Sequence, residues 1–117
     1  MEPLGEGNYG FVFRGQLDDD ENNVVAVKTV KDPKFKCFLL DEVKLMKDFR
    51  HQNVMSLKYV TIICPIPPLY SAPSLALVFP LMHRGDLRSY VSDDSNLPCL
   101  RDLINYSTQI ASGICTF

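Results

Sequence analysis

The 117 residues carry 12 Lys and Arg against 14 Asp and Glu, and 46% of them are hydrophobic, which is the composition of one small globular domain. The net charge of −2 and the lack of a dense basic cluster argue against a nucleic-acid partner. The apolar stretches are far shorter than the roughly 18 residues of a membrane span, and residues 1–5 lack the basic and apolar regions of a secretory signal. We therefore expect a cytoplasmic location.

Residues 1–30 show the period-two pattern of β-strands. Side chains alternate over residues 9–17, and residues 24–30 form a second, valine-rich apolar run. The polar residues 18–23 between the two runs indicate a turn. The pattern predicts antiparallel strands in this part of the chain.

The period changes to 3.6 between residues 35 and 49, which predicts a helix of three to four turns that residues 51–53 end. Its apolar stripe consists of Phe35, Phe38, Leu39, Leu45, Met46 and Phe49. Strand-like apolar runs return at 54–63 and 75–79, and the proline-rich residues 65–73 between them predict a mobile loop.

Two further helices are predicted after residue 82. Asp86 is suited to cap a short helix over residues 87–91, because its carboxylate can accept N–H groups of the first turn. The last helix is expected to begin near Pro98, a residue suited to a first helical turn. Its apolar face is formed by Leu100, Leu103, Ile104, Ile110, Ala111 and Ile114.

The cysteines at positions 37, 64, 99 and 115 form no C-x-x-C pair. Their wide spacing fits neither a zinc site nor a dense disulfide framework. We therefore expect four reduced, mostly buried thiols and no metal-binding residues.

Residues 5–10 read G-E-G-N-Y-G, a G-x-G-x-x-G pattern that occurs in dinucleotide-binding folds and in protein kinases. A dinucleotide site requires a helix directly after the glycines, whereas residues 11–13 continue as a strand. The segment V-A-V-K follows at positions 25–28 and ends at Lys28. The two motifs in this order favour a glycine loop that covers phosphates, with Lys28 in contact with them.

Glu42 occupies an unexpected position in the predicted helix. Phe38, Leu45 and Phe49 define an apolar stripe in which Glu42 takes the place of an apolar residue. A buried carboxylate requires a nearby cation, and Lys28 on the preceding strand is the natural partner. The alternatives are a solvated glutamate on a rotated helix and a surface lysine on the strand.

These features resemble the N-terminal lobe of a protein tyrosine kinase, most closely receptor tyrosine kinases of the Axl/Mer group and the hepatocyte-growth-factor receptor. The resemblance covers nearly the whole chain and includes residues 38–51, 77–82 and 85–87. It implies an α+β fold in which residues 1–82 form the N-lobe and hinge and residues 83–117 begin the C-lobe.

The resemblance also implies a role for individual residues. Lys28 and Glu42 are the predicted catalytic residues, with Lys28 on the phosphates of ATP and Glu42 positioning Lys28. The other predicted ATP-binding residues are Leu4, Gly5, Gly7, Gly10, Val12, Ala26, Phe79, Pro80, Leu81, Met82 and Asp86. Phe79 falls at the gatekeeper position. Met82 would supply the backbone N–H that donates to adenine, because proline has no N–H. A buried strand without a ligand is the alternative for the hinge residues.

Other parts of a phosphoryl-transfer site are missing from the sequence. No H-R-D-x-x-x-x-N loop and no D-F-G segment occur, and residues 83–86 read H-R-G-D. We therefore expect a kinase domain truncated at both ends and inactive alone. The intact parent would use Mg²⁺ and ATP to phosphorylate protein tyrosine and would be a single-pass plasma-membrane receptor. The alternative function is a non-catalytic interaction or decoy module.

Overall fold

The computed structural model describes residues 2–7, 9–18, 20–30, 32–63 and 74–116. Within these ranges the chain forms a five-stranded antiparallel sheet with the strand order β1-β2-β3-β5-β4. The strands are β1 (Glu2–Glu6), β2 (Gly10–Gln16), β3 (Val24–Val30), β4 (Tyr59–Ile63) and β5 (Ser74–Pro80). Helix α1 (Lys36–Met46) follows a 3-10 turn at Pro33–Phe35.

The predicted strands up to Val30 and at the hinge are confirmed. The predicted strand over residues 54–63 is wrong in its first half, because only Tyr59–Ile63 pairs with β5. Val54 instead forms an isolated bridge with His51. The predicted loop at 65–73 lies outside the described residues.

Alternation along β3 gives the sheet two apolar faces. Val25 and Val27 are buried on one face with Ala76 and Val78 of β5. The opposite face carries a cluster in which Leu77 and Phe79 of β5 pack with Leu39 of α1. Residues of even number in β3 point toward this helix side, since successive side chains of a strand alternate.

The predicted stripe of helix α1 is confirmed only in part, because its members Leu39 and Met46 pack on the sheet while Phe38 and Leu45 are exposed. Leu39 is buried, and Val43 and Met46, one and two turns later, pack against the same cluster. Leu45 is 67% exposed, so its assignment to the buried stripe was wrong. The buried face of α1 consists of Leu39, Val43 and Met46, because Leu39 packs against the sheet residues Leu77 and Phe79.

The chain consists of two compact units. The first includes the residues up to Phe49 together with Ser56–Leu81, and the second includes Arg50–Met55 together with the residues from Met82 onward.

The second unit contains α2 (Leu87–Ser92), a 3-10 turn at Asp94–Asn96 and α3 (Leu100–Cys115). Asp86 caps α2 as predicted, by accepting the Ser89 N–H at 3.0 Å. Pro98 lies before α3 and not in its first turn, because Cys99 is the N-cap and forms a capping box with Asp102.

Helix α3 packs on the segment that precedes β4. Gly113 is buried, and a Cβ built there would lie 3.1 Å from a methyl of Val54. His51 Nε2 lies 3.3 Å from Ser112 Oγ. The predicted apolar face is largely exposed, with Leu100 at 73% and Ile114 at 69%. Within the described ranges, no helix has both the length and the apolar character of a membrane span.

The prediction of mostly buried cysteines is wrong for those that the structure describes. Cys37, Cys99 and Cys115 are exposed free thiols. Cys37 lies in the first turn of α1 and Cys99 caps α3, so both occupy solvent-facing helix ends. Cys64 lies outside the described residues.

Candidate functional site

A cleft of about 480 Å³ lies in the first unit, between the segment that joins β1 to β2 and helix α1. It is lined by Gly5, Glu6, Gly7, Tyr9, Gly10, Val12, Lys28, Thr29, Val30, Phe38, Leu39 and Glu42. The cleft therefore brings together the glycine segment, the strand lysine and the helix glutamate that the sequence singled out.

Lys28 and Glu42 form a two-oxygen ion pair in this cleft. The Lys28 Nζ lies 2.8 Å from Oε2 and 3.1 Å from Oε1 of Glu42. The lysine side chain is 38% exposed and the glutamate side chain 27% exposed. The pair is thus partly solvated, and the ammonium can be reached from the cleft.

Strand and helix geometry explain why these two side chains meet. Lys28 lies on the helix side of β3, directly opposite Val12 of β2 and Leu77 of β5. Glu42 follows buried Leu39 by three residues, which places it at the flank of the buried face of α1. The expected pairing is therefore present, although Glu42 lies beside the apolar stripe and not within it.

Gly7 and Gly10 lie on either side of the connection between β1 and β2, and the Gly7 N–H donates to the Gly10 carbonyl oxygen at 2.9 Å. A Cβ at Gly10 would lie 2.1 Å from the carbonyl oxygen of Thr29, so no larger residue fits without a backbone shift. At Gly5 and Gly7 a Cβ would meet nothing within 4 Å. Only Gly10 is required by the packing of the sheet, and the other two face open space.

Two aromatic residues of the cleft were not predicted as site residues. The Tyr9 ring stacks on the Phe38 ring, with centroids 4.5 Å apart and planes at 26°. Phe38 was assigned to the core of the helix, yet it is 46% exposed. The position of Tyr9 between two glycines is the sequence signal that could have identified it.

The remaining predicted site residues lie elsewhere. Leu4 is exposed in β1 at a register shift, and Ala26 pairs with Arg14 and Phe79 across the sheet. Phe79 is 4% exposed in the helix-side cluster. The cleft lining does not include these residues or the hinge residues Pro80 and Leu81, so their contact with adenine stays a prediction.

Met82 and Asp86 belong to the second unit. Met82 is 52% exposed, and its carbonyl oxygen accepts the Gly85 N–H at 3.0 Å. The backbone N–H of Ser89, and then its side chain, lower the pKa of Asp86 below its ordinary value of 3.8. Asp86 is therefore an ionised helix cap, and its predicted contact with ribose stays a prediction.

No three His, Cys, Asp or Glu side chains within the described parts of the chain are close enough together to hold a metal ion.

The family model described as "Protein tyrosine and serine/threonine kinase" matches residues 1–116.

Proposed function

This chain belongs to the protein tyrosine and serine/threonine kinase family, and from that premise we propose that it is the ATP-binding part of a protein tyrosine kinase domain. Its sheet with one packed helix is the arrangement of a kinase N-terminal lobe. The observation that carries the proposal is the Lys28–Glu42 pair, which lies in one cleft with the glycine segment. Phosphoryl transfer depends on such positioning and charge stabilisation.

The residues of the cleft fit the phosphates of ATP. An ammonium has three N–H donors, and Glu42 accepts from Lys28 through two oxygens, so the partly exposed lysine retains the capacity to bind an anion. The open space at Gly5 and Gly7 allows a ligand to approach their backbone. These glycines, with Gly10, would cover the phosphates, Lys28 would hold them and Glu42 would position Lys28. Bound ATP would supply the γ-phosphoryl group.

Tyrosine specificity and receptor signalling are finer proposals. They rest on the resemblance of residues 38–51 and 77–82 to receptor kinases of the Axl/Mer group and the hepatocyte-growth-factor receptor. In an intact kinase domain of this kind, Mg²⁺ would be held by a D-F-G aspartate and a catalytic-loop asparagine. The location would be the cytoplasmic side of the plasma membrane, and the substrates would be protein tyrosines.

A non-catalytic role is the second candidate for these 117 residues. The observation that favours it is the absence of H-R-D-x-x-x-x-N and D-F-G from the sequence. Without those residues the chain has no group to orient a substrate hydroxyl and no D-F-G aspartate for Mg²⁺. We therefore expect nucleotide binding without phosphoryl transfer by this chain alone.

Calorimetric titration of the chain with Mg-ATP tests the proposal. We expect binding that Lys28→Met weakens at least tenfold, because the ammonium that faces the phosphates is lost. Lys44→Met is the matched control, since Lys44 is an exposed lysine of α1 outside the cleft lining. A folded wild-type chain that does not bind Mg-ATP would favour the interaction module. Transfer of labelled γ-phosphate to poly-Glu/Tyr, lost in Lys28→Met, would contradict the expected inactivity.

A further inference from the structure

The tip of the glycine segment is attached to helix α1 through three aromatic rings. Tyr9 stacks on Phe38 at 4.5 Å and meets Phe35 edge-on at 5.1 Å, with planes at 63°. Phe35 and Phe38 are themselves 5.9 Å apart. The cluster therefore joins the loop between β1 and β2 to the first turn of the helix.

The same helix presents Glu42 to the sheet. Phe38 and Glu42 are four residues apart, which places them on one helix face, and both line the cleft. Helix α1 thus makes two contacts across this cleft, a ring stack with the loop through Phe38 and an ion pair with β3 through Glu42.

Both contacts are open to solvent. Tyr9 is 50% exposed and Phe38 46% exposed, and the Lys28 side chain is 38% exposed. A ring pair of this geometry changes an equilibrium constant by roughly two- to tenfold, so neither contact alone holds the helix against the sheet and loop. Two weak contacts on one helix are energetically coupled when both depend on the same position of that helix.

We propose that Tyr9 is a positioning residue that couples the glycine loop to the Lys28–Glu42 ion pair through Phe38. One position of α1 keeps the glycine loop at the cleft through Phe38 and orients Lys28 through Glu42. The consequence of this coupling for nucleotide binding rests on the proposed function. Loss of the ring stack frees the loop and at the same time loosens the ion pair at the other side of the cleft.

The linkage can be measured without nucleotide by acetylation of the full chain with an N-hydroxysuccinimide ester, followed by mass spectrometry of each lysine. A lysine nitrogen that both oxygens of a carboxylate contact is less accessible to the ester and reacts slowly. We expect Lys28 to react about threefold faster in Tyr9→Ala and at the wild-type rate in Tyr9→Phe, which retains the ring. Glu42→Gln gives the rate of an unpaired Lys28, and Lys44 serves as the internal reference.

An unchanged Lys28 rate in Tyr9→Ala, with a faster rate in Glu42→Gln, would overturn the inference. An unchanged rate in both variants would also overturn it, since no ion pair would then exist to be coupled. Circular dichroism verifies folding, and Phe38→Leu removes the same stack from the helix side if Tyr9→Ala does not fold.

Titration with Mg-ATP separates this inference from the proposed function. We expect Tyr9→Ala to weaken binding three- to tenfold and Tyr9→Phe to change it less than twofold. Equal binding by Tyr9→Ala and wild type would overturn the link between the ring stack and the nucleotide. If the wild-type chain does not bind Mg-ATP, the proposed function fails, and the acetylation rates still decide whether Tyr9 acts on the ion pair.

Discussion

The ammonium of Lys28 binds both carboxylate oxygens of Glu42, at 2.8 and 3.1 Å, while more than a third of the lysine side chain remains exposed. This ion pair is intermediate between a fully exposed surface pair and a fully buried one. Its geometry orients Lys28, and its exposure allows the ammonium to reach a ligand. Partial solvation also limits its contribution to stability.

We expect a double-mutant cycle of Lys28→Met and Glu42→Gln to give a coupling energy of about 0.5–1 kcal/mol in urea denaturation. The reason is solvent screening of a half-exposed pair, and a fully buried pair would cost roughly 3–5 kcal/mol to break. The control cycle combines Lys44→Met with Glu42→Gln, which we expect to be additive because residues two apart on a helix do not face each other. Additivity of the Lys28 cycle would mean that the pair is open in solution.

Gly10→Ala should destabilise the first unit by about 1–3 kcal/mol, because the new Cβ would lie 2.1 Å from the Thr29 carbonyl oxygen and a strand must shift. Gly5→Ala and Gly7→Ala are the controls, and each should change stability by less than about 0.5 kcal/mol, since a Cβ at either position meets nothing within 4 Å. Urea denaturation monitored by circular dichroism measures all three. Equal effects at the three glycines would contradict this account of Gly10.

The carboxyl of Asp86 should titrate with a pKa below 3.8 in the folded chain, as measured by carbon NMR of its Cγ. Because the folded-state pKa is lowered, the cap stabilises α2 at pH values above 3.8 and loses this contribution as the pH falls through the lowered value. The backbone N–H of Ser89 is the larger cause and its side chain the smaller one.

Two substitutions of Ser89 separate the causes of this lowering. Ser89→Ala should leave the pKa of Asp86 still lowered but by less, since the backbone donor remains. Ser89→Pro removes the backbone donor together with the hydroxyl, so the further rise of the pKa toward 3.8 beyond that in Ser89→Ala gives the backbone contribution. If Ser89→Ala raised the pKa of Asp86 as far as Ser89→Pro, the hydroxyl and not the backbone would be the main partner.

The exposed apolar face of α3 should cause concentration-dependent self-association of the chain. Ile104→Glu, at a position 56% exposed, should shift sedimentation toward the monomer because it places a charge on this face. Asn105→Glu adds the same charge at an exposed neighbouring position off the face and should have little effect. A wild-type chain that is monomeric at every concentration would show that this face does not associate.

Period-two and period-3.6 patterns predicted β2, β3, β5 and the three helices, because these patterns follow from which side chains must leave water. The glycine motif and the lysine of the V-A-V-K segment were also predicted from the sequence, and both line the cleft. They could be predicted because each is a short motif of consecutive residues. Glu42 was predicted to face Lys28 from an apolar stripe, and the ion pair exists although Phe38 and Leu45 of that stripe are exposed.

The rotation of α1 required the tertiary structure. The predicted stripe joined Leu39 and Met46 with Phe38 and Leu45. The packing of Leu39 against Leu77 and Phe79 shows that the buried face turns toward Val43 and away from Leu45. The exposure of Cys37 and Cys99 was likewise decided by their places at helix ends.

Strands β2, β3 and β5, the three helices and the charged pair of the cleft follow from the amino-acid pattern alone, since hydrophobic periodicity and the need to pair a carboxylate act along or between short segments. The contact of Tyr9 with Phe38 required the folded chain, because it depends on how a loop folds over a helix that follows two strands later. No local pattern encodes that contact. It follows from the packing of Leu39 on the sheet, which brings the first turn of α1 to the tip of the glycine loop.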